Sequence, residues 1–189
     1  MTSPATDTPL DTRAASIRLL ALDVDGVLTD GSLHYHSDGS ETKVFSTQDG
    51  LGMRLLQEAG ITLAIITGRS SEMVTRRAGE LGVAHLLQDR NDKALALTEV
   101  SQASGIPLDE CAYCGDDLPD LGAILLAGLG ISVANAPEQV RDRADLVTER
   151  AGGHDAVREI CEFLLNAKGA LSGIIERYCS MPSSSGQPG

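Results

Sequence analysis

The chain has 189 residues, of which 42% are hydrophobic, and this is enough for one globular domain with a real core. The formal net charge is −12 and aromatic residues make up only 3%, which argues against a general nucleic-acid surface or an anionic-membrane surface. No apolar run approaches the roughly 18 residues that a membrane span needs, so we expect a cytoplasmic protein without a nucleic-acid or membrane partner.

The order of composition along the chain predicts one domain between two tails. Residues 1–15 are rich in Thr, Pro, Asp and Ala, and we expect them to be disordered. Residues 16–168 carry the regular apolar patterns and form the predicted domain, and residues 169–189 form a predicted C-terminal tail.

The domain shows an alternation of strand-like and helix-like segments. Strands are predicted at residues 17–22, 61–66, 83–87, 111–114 and 130–133, with an edge strand at 146–148. Helical patterns separate them, with Asp49, Ser70 and Asp155 as predicted N-terminal caps. This alternation predicts an α/β fold with a doubly wound parallel sheet, and it places every strand's carboxyl end on one rim.

One segment interrupts this alternation. Residues 32–36 and 41–45 alternate between apolar and polar, and a turn containing Gly39 separates them, so residues 32–45 are predicted to form a β-hairpin. The hairpin stands where a plain α/β fold needs only a short turn. We therefore expect an insertion beside the end of the first strand.

Chemically useful side chains follow the predicted strands. They are two carboxylates after the first strand, a hydroxyl, an amine and a second pair of carboxylates: Asp23, Asp25, Thr67, Lys93, Asp116 and Asp117. Carboxylates suit Mg²⁺, and Lys with Thr beside them suit a phosphoryl group. Each part also has a structural explanation, since Thr67 is compatible with a plain turn, Lys93 with a solvated surface and Asp116 with an acidic helix start.

The cysteines point to no site. Cys111 and Cys114 have the spacing of a redox or zinc pair, but no second Cys or His pair has zinc spacing, and buried free thiols are the favoured interpretation.

The ordered motifs resemble those of the haloacid-dehalogenase-type phosphatases. They are residues 23–30, 67–69 and 115–120 together with Lys93, and the resemblance covers roughly residues 17–165. The short hairpin in place of a large cap domain resembles the small capless subclass. The resemblance implies a Rossmann-like doubly wound sheet with a β-hairpin insertion instead of a cap.

The resemblance also implies a Mg²⁺-dependent phosphomonoesterase that works through an aspartyl-phosphate. In that mechanism Asp23 is the nucleophile, Asp25 is the acid and base, and Thr67 and Lys93 stabilise the phosphoryl oxygens. The implied metal ligands are Asp23, Asp25 through its backbone carbonyl, Asp116 and Asp117.

The resemblance further implies a phosphorylated sugar-acid substrate and a homotetramer that completes an otherwise open pocket. Lys43, Gln48 and Arg69 are candidate substrate contacts, and Arg69 favours an eight-carbon acid over a related nine-carbon acid. A phosphatase for the nine-carbon acid phosphate and a non-catalytic oligomerisation module of this fold are the alternatives.

Overall fold

The computed structural model describes residues 9–180, and its centre is a six-stranded parallel sheet in the order β5-β4-β1-β6-β7-β8. A separate two-stranded antiparallel sheet pairs β2 with β3. The strands are β1 Leu19–Leu22, β2 His34–Tyr35, β3 Glu41–Thr42, β4 Thr62–Ile66, β5 His85–Leu87, β6 Cys111–Gly115, β7 Leu129–Ser132 and β8 Leu146–Val147. The predicted parallel α/β architecture with a small hairpin is confirmed.

Helices cover both faces of the large sheet. They are α1 Leu10–Ser16, α2 Thr47–Glu58, α3 Glu72–Leu81, α4 Lys93–Ser104, α5 Leu121–Leu126, α6 Glu138–Arg141, α7 Ala156–Ala167 and α8 Leu171–Ser180. Short 3₁₀ turns at Leu108–Glu110 and Leu118–Asp120 flank β6. Because both faces are covered, every residue of β1 and β6 is buried, which explains their unbroken apolar runs.

The strand order places β1 in the middle of the sheet. Its register sets Leu22 opposite Ile65 of β4 on one side and Cys114 of β6 on the other. The chain runs outward from β1 to β4 and β5, and then returns across the sheet to β6. Such a reversal opens a crevice at the carboxyl ends of the strands, and in this sheet the crevice lies beside β1.

The caps of α2 and α7 differ from the predicted ones. Ser46 rather than Asp49 caps α2, because its side chain accepts from the backbone N–H groups of Gln48 and Asp49. The Asp49 carboxylate faces α7 instead, and it accepts from the backbone N–H of Arg158 at 2.7 Å. Asp155 precedes α7 with φ of 71° and makes no cap hydrogen bond, since its carboxylate accepts from Ser46 Oγ. The two helices are therefore tied together at their N-termini.

The start of α3 also differs from the prediction. Ser70 is not its cap: α3 begins at Glu72, and Ser71 occupies the cap position without a side-chain hydrogen bond. The Ser71 backbone N–H instead donates to Gln88 Oε1 at 2.7 Å, so contacts from β5's end decide where the helix starts.

Both predicted tails contain helix. Helix α1 covers residues 10–15 of the stretch predicted to be disordered, because Ala14 is buried in the core and Arg13 pairs with Asp145. Helix α8 lies within the predicted C-terminal tail, where Arg177 pairs with Glu58 of α2. The rest of the two predicted tails, residues 1–8 and 181–189, lies outside the described residues.

Between residues 9 and 180, no helix has the length and apolar character required to cross a membrane. Cys111, Cys114 and Cys161 are buried free thiols and Cys179 is an exposed one. Burial raises the pKa of the Cys111 thiol to about 11, which agrees with an unreactive core residue.

Candidate active site

The carboxyl end of β1 presents Asp23 to the crevice. Its backbone N–H donates to the carbonyl of Cys114, so the residue continues the pairing of β1 with β6 although Asp is a poor strand former. The chain then turns sharply at Gly26, where φ is 102° and an added Cβ would lie 2.0 Å from Asp116 Oδ2. Only glycine leaves room for the two acidic segments to approach each other there.

The side chain of Lys93 reaches Asp23 through the core. It is 4% exposed, and Nζ donates to Asp23 Oδ1 at 2.5 Å and to the carbonyl of Ile66 at 2.8 Å. The carbonyl belongs to the last residue of β4, so the lysine links the ends of β1 and β4. The alternative of a solvated surface lysine is wrong, because the start of α4 points the side chain inward under the crevice.

Three carboxylates converge opposite this ammonium. Asp23, Asp116 and Asp120 each offer an oxygen atom, and these atoms all lie within 4.8 Å of one another. Burial, and then the charges of Asp23 and Asp120, raise the pKa of Asp116 to about 7. Burial and Asp120 likewise raise the pKa of Asp23, although Lys93 opposes the shift. A cation beside these groups would relieve both effects.

This donor set fits Mg²⁺. Carboxylate oxygens are the ligands that hard divalent cations prefer, and the cluster includes two of the four ligands implied by the sequence, Asp23 and Asp116. The other two, Asp25 and Asp117, lie outside this cluster but line the same cavity. One carboxylate oxygen of Asp117 accepts from the N–H of Leu118 at 2.8 Å, and the carboxylate of Asp25 pairs with Lys43, whereas the ligand atom implied for Asp25 is its backbone carbonyl oxygen.

Asp120 belongs to the cluster but was not among the candidates from the sequence. Its Oδ1 accepts from the Tyr113 hydroxyl at 2.6 Å, and its Oδ2 accepts from the backbone N–H groups of Asp116 and Asp117. These donors fix the loop that carries Asp116. The signal was the carboxylate at the end of the 115–120 motif, but only the fold shows that Tyr113 in β6 points toward it.

A cavity of about 220 Å³ opens over these groups. It is lined by residues from the ends of β1, β4 and β6 and from the start of α4, namely Asp23, Asp25, Thr67, Gly68, Arg69, Asn91, Lys93, Asp116, Asp117, Pro119 and Asp120. All six side chains predicted to share the rim are in this set. Thr67 is buried, and its hydroxyl oxygen accepts from the backbone N–H of Arg69 at 3.3 Å. Asn91 is a lining residue that the sequence did not single out.

The remaining candidate contacts lie on or near the hairpin. Lys43 does not line the cavity, but its ammonium contacts the carboxylate of Asp25, which does. The guanidinium of Arg69 contacts Glu41 at 2.8 Å. Gln48 is exposed on the first turn of α2, and the structure does not bring it into the cavity.

Comparison with known proteins identifies close relatives. A family model described as haloacid dehalogenase-like hydrolase matches residues 78–160. The chain is 44% identical over 160 residues to the 3-deoxy-D-manno-octulosonate 8-phosphate phosphatase of Salmonella typhi, and the alignment covers 85% of each chain.

Solved structures agree with this result. The phosphatase of the same name from Moraxella catarrhalis, in complex with a magnesium ion, a phosphate ion and a KDO molecule, has a TM-score of 0.87 and 51% identity, covering 89% of this chain and 97% of that one. The enzyme of that name from Yersinia pestis has a TM-score of 0.85 and 41% identity, covering 87% and 89%.

Proposed function

We propose that this chain, which belongs to the haloacid dehalogenase-like hydrolases in the family of the 3-deoxy-D-manno-octulosonate 8-phosphate phosphatases, is itself such a phosphatase. It hydrolyses 3-deoxy-D-manno-octulosonate 8-phosphate to 3-deoxy-D-manno-octulosonate (KDO) and phosphate, with Mg²⁺ as cofactor. Relatives at 44% and 51% identity bear this name, and one of them was solved with Mg²⁺, phosphate and KDO bound. The observation that carries the proposal is the buried contact of Lys93 with Asp23 beside the carboxylates of Asp116 and Asp120.

In this proposal Asp23 is the nucleophile. A carboxylate oxygen of Asp23 forms a bond to phosphorus while the bond from phosphorus to the sugar oxygen breaks, which leaves an aspartyl-phosphate. Lys93 holds the carboxylate in place at 2.5 Å. Fixing its orientation before the substrate arrives lowers the entropic part of the barrier.

Asp25 is the acid and base. It donates a proton to the departing sugar oxygen, and it then takes a proton from the water that attacks phosphorus and breaks the Asp23–phosphorus bond. Asp25 lines the cavity two residues after Asp23. Its contact with Lys43 holds the carboxylate at the cavity edge, on the side of the hairpin.

Thr67 and Lys93 bind the phosphoryl oxygens. A hydroxyl and an ammonium on neighbouring strand ends can stabilise the negative charge that these oxygens carry in the transition state. Mg²⁺ would be held by Asp23, Asp116, the backbone carbonyl of Asp25 and, directly or through water, Asp117, and it would supply positive charge that offsets the repulsion between Asp23 and the phosphate. Asp120 positions this set through its hydrogen bonds to the 115–120 loop.

Phosphate release from a panel of phosphorylated sugar acids tests the proposed activity. We expect the largest kcat/KM for 3-deoxy-D-manno-octulosonate 8-phosphate, loss of turnover in excess EDTA, and recovery on adding Mg²⁺. Asp23→Asn should lose activity by at least about 10³-fold, because the nucleophile is removed while its volume is kept.

Two outcomes would contradict the proposal. Equal phosphate release by wild type and Asp23→Asn would show that Asp23 is not the nucleophile. The proposed substrate would be wrong, although the phosphatase chemistry would stand, if kcat/KM for the eight-carbon substrate were no greater than that for p-nitrophenyl phosphate. The same holds if it were smaller than that for the nine-carbon acid phosphate.

We also propose that the protein is a cytoplasmic homotetramer. The cavity is open, and the hairpin presents apolar side chains to solvent beside it: Leu33, Tyr35 and Val44 are 46%, 67% and 65% exposed. Exposed apolar patches next to a functional site are typical of interaction surfaces. Free thiols at all four cysteines support a reducing compartment.

A further inference from the structure

The second half of the hairpin, residues 41–45, presents two opposite charges to the catalytic end of the sheet. Along residues 41–45 the side chains alternate between partly buried and exposed, so Glu41 and Lys43 share the inner face while Thr42 and Val44 point outward. The Lys43 side chain is only 3% exposed. Burial of this kind makes an ion pair more dependent on geometry than a surface pair.

Glu41 stands between two cations. Its Oε2 accepts from the guanidinium of Arg69 at 2.8 Å, and its Oε1 lies 3.6 Å from Lys43 Nζ. Lys43 in turn contacts the carboxylate of Asp25. Four side chains of alternating charge therefore form a row. It runs from Arg69 in the cavity lining, through Glu41 and Lys43 on the inner face of the hairpin, to Asp25 in the cavity lining.

The two ends of this row line the cavity, and Glu41 does not. Within the described residues, Glu41 is the only side-chain partner of the Arg69 guanidinium, and Oε1 of Glu41 is buried without a hydrogen bond. A partly buried carboxylate beside a site for an anionic ester is unfavourable by itself, and at Glu41 the charges of Arg69 and Lys43 offset this cost.

We propose that Glu41 is a positioning residue that sets substrate preference by holding Arg69 in the cavity wall, where its guanidinium receives the carboxylate of the sugar acid. This inference rests on the function proposed above. A guanidinium held on one side by a carboxylate keeps a fixed plane, and it can offer its remaining N–H groups to a second carboxylate. A phosphomonoester without a carboxylate gains nothing from this arrangement.

The sign of the effect separates positioning from simple charge. If Glu41 acted only through its negative charge, Glu41→Gln would lower KM for every anionic substrate, because repulsion falls. If it positions Arg69, Glu41→Gln raises KM for the sugar-acid phosphate and leaves kcat/KM for p-nitrophenyl phosphate nearly unchanged. We expect a rise of about 10-fold in the first KM, with less than about a twofold change in kcat/KM for the second.

Glu58→Gln is the matched control. It removes the same charge and breaks a pair with Arg177 at 2.6 Å on the far end of α2, outside the cavity. It should leave KM and kcat/KM unchanged for both substrates. Glu41→Asp keeps the charge with a shorter reach, so its KM should lie between those of wild type and Glu41→Gln, and it serves as the test if Glu41→Gln folds poorly.

A double-mutant cycle completes the test. If Glu41 acts through Arg69, adding Glu41→Gln to Arg69→Ala changes KM for the sugar-acid phosphate no further. Additive effects, or equal KM changes for the two substrates, would overturn the proposal. If wild type itself does not prefer the sugar-acid phosphate, the proposed function fails instead, and that result is read from wild type alone.

Discussion

At the scale of single residues, the site depends on buried charges that compensate one another. Lys93 touches Asp23 at 2.5 Å and lies 3.4 Å from Asp120, and all three residues are buried. Charges in such a place are favourable only while each has a partner, since removing one leaves the other without compensation. The positions are consequently sensitive to substitutions that a surface would tolerate.

Lys93→Met keeps the length of the side chain and removes its charge. We expect phosphate release to fall at least about 100-fold, because Asp23, the proposed nucleophile, and the phosphoryl oxygens of the substrate lose the same ammonium. Stability should fall by about 3 kcal/mol or more without metal, since Asp23 and Asp120 then lack a cation.

Added Mg²⁺ should raise the melting temperature of Lys93→Met more than that of wild type, because the cation replaces the missing charge. Thermal unfolding with and without Mg²⁺ checks this. Lys168→Met, which removes an ammonium that donates to the Ala15 carbonyl near the surface, should show the shift of wild type. An equal or smaller shift for Lys93→Met would show that Mg²⁺ does not replace the charge of the Lys93 ammonium.

At the scale of elements, the segments behind the site hold it in position. The loop before α7 packs on the β1 loop so closely that a Cβ on Gly152 would lie 1.7 Å from the carbonyl oxygen of Gly26. Asp49 of α2 then ties the first turn of α7 through Arg158. The segment 152–158 is far from Asp23 in sequence, yet it supports the loop that carries Asp25.

Gly152→Ala places a methyl group against backbone that cannot move without shifting the 23–31 loop. We expect a loss of about 2 kcal/mol or more in the free energy of unfolding and a clear fall in kcat. Urea unfolding and phosphate release measure the two effects. Gly173→Ala is the control, because a Cβ there meets nothing within 4 Å; similar losses in both variants would contradict the packing explanation.

Asp49 makes stability depend on pH. Burial, and secondarily Asp155, raise the pKa of Asp49 from 3.8 to about 6, while its hydrogen bond from Arg158 opposes the shift. A carboxyl group with a raised pKa in the folded state contributes stability that is complete below about pH 4 and is lost as pH rises through about 6. Asp49→Asn should abolish this part of the dependence and be relatively more stable near pH 7.5.

Urea unfolding of wild type and Asp49→Asn between pH 4 and pH 8, at fixed protein and Mg²⁺ concentrations, measures the difference. Asp38→Asn changes an exposed carboxyl group whose pKa is lowered by hydrogen bonds from Ser40, so it should keep the decline of wild type above pH 4. A difference between wild type and Asp49→Asn that does not vary with pH would show that the carboxyl group does not titrate in this range.

At the scale of the whole molecule, the open cavity and the exposed hairpin belong together. A capless site needs another surface to exclude water, and Tyr35 and Val44 offer apolar area next to it. The double variant Tyr35→Asp/Val44→Asp should dissociate the proposed tetramer, because buried charges without partners oppose association. Light scattering after size-exclusion chromatography gives the mass.

The same variant should raise KM for the sugar-acid phosphate, because the proposed neighbouring subunits no longer complete the pocket. The monomer should stay folded, because the two side chains are exposed in the monomer. Leu125→Asp is the control, since Leu125 is 66% exposed on α5 rather than on the hairpin. A wild-type mass of one chain would contradict the tetramer, and an unchanged mass of the double variant would place the interface elsewhere.

The sequence by itself determined how strands and helices follow one another along the chain between β1 and α7, the hairpin, and six of the cavity residues, from Asp23 to Asp117. It could do so because apolar periodicity depends on local geometry, and because parallel strands carry the residues after them to one edge. The position of Asp23, Thr67 and Lys93 at this edge of the sheet was predictable for the same reason.

Only the tertiary structure decided which groups touch. Asp49 caps α7 rather than α2, and Asp120 joins the acidic cluster, because contacts across the sheet compete with local capping and no sequence spacing records the outcome. The row from Arg69 through Glu41 and Lys43 to Asp25 likewise exists only where the hairpin folds back over the strand ends. Local pattern predicts elements, whereas the partner of a buried charge is chosen by packing.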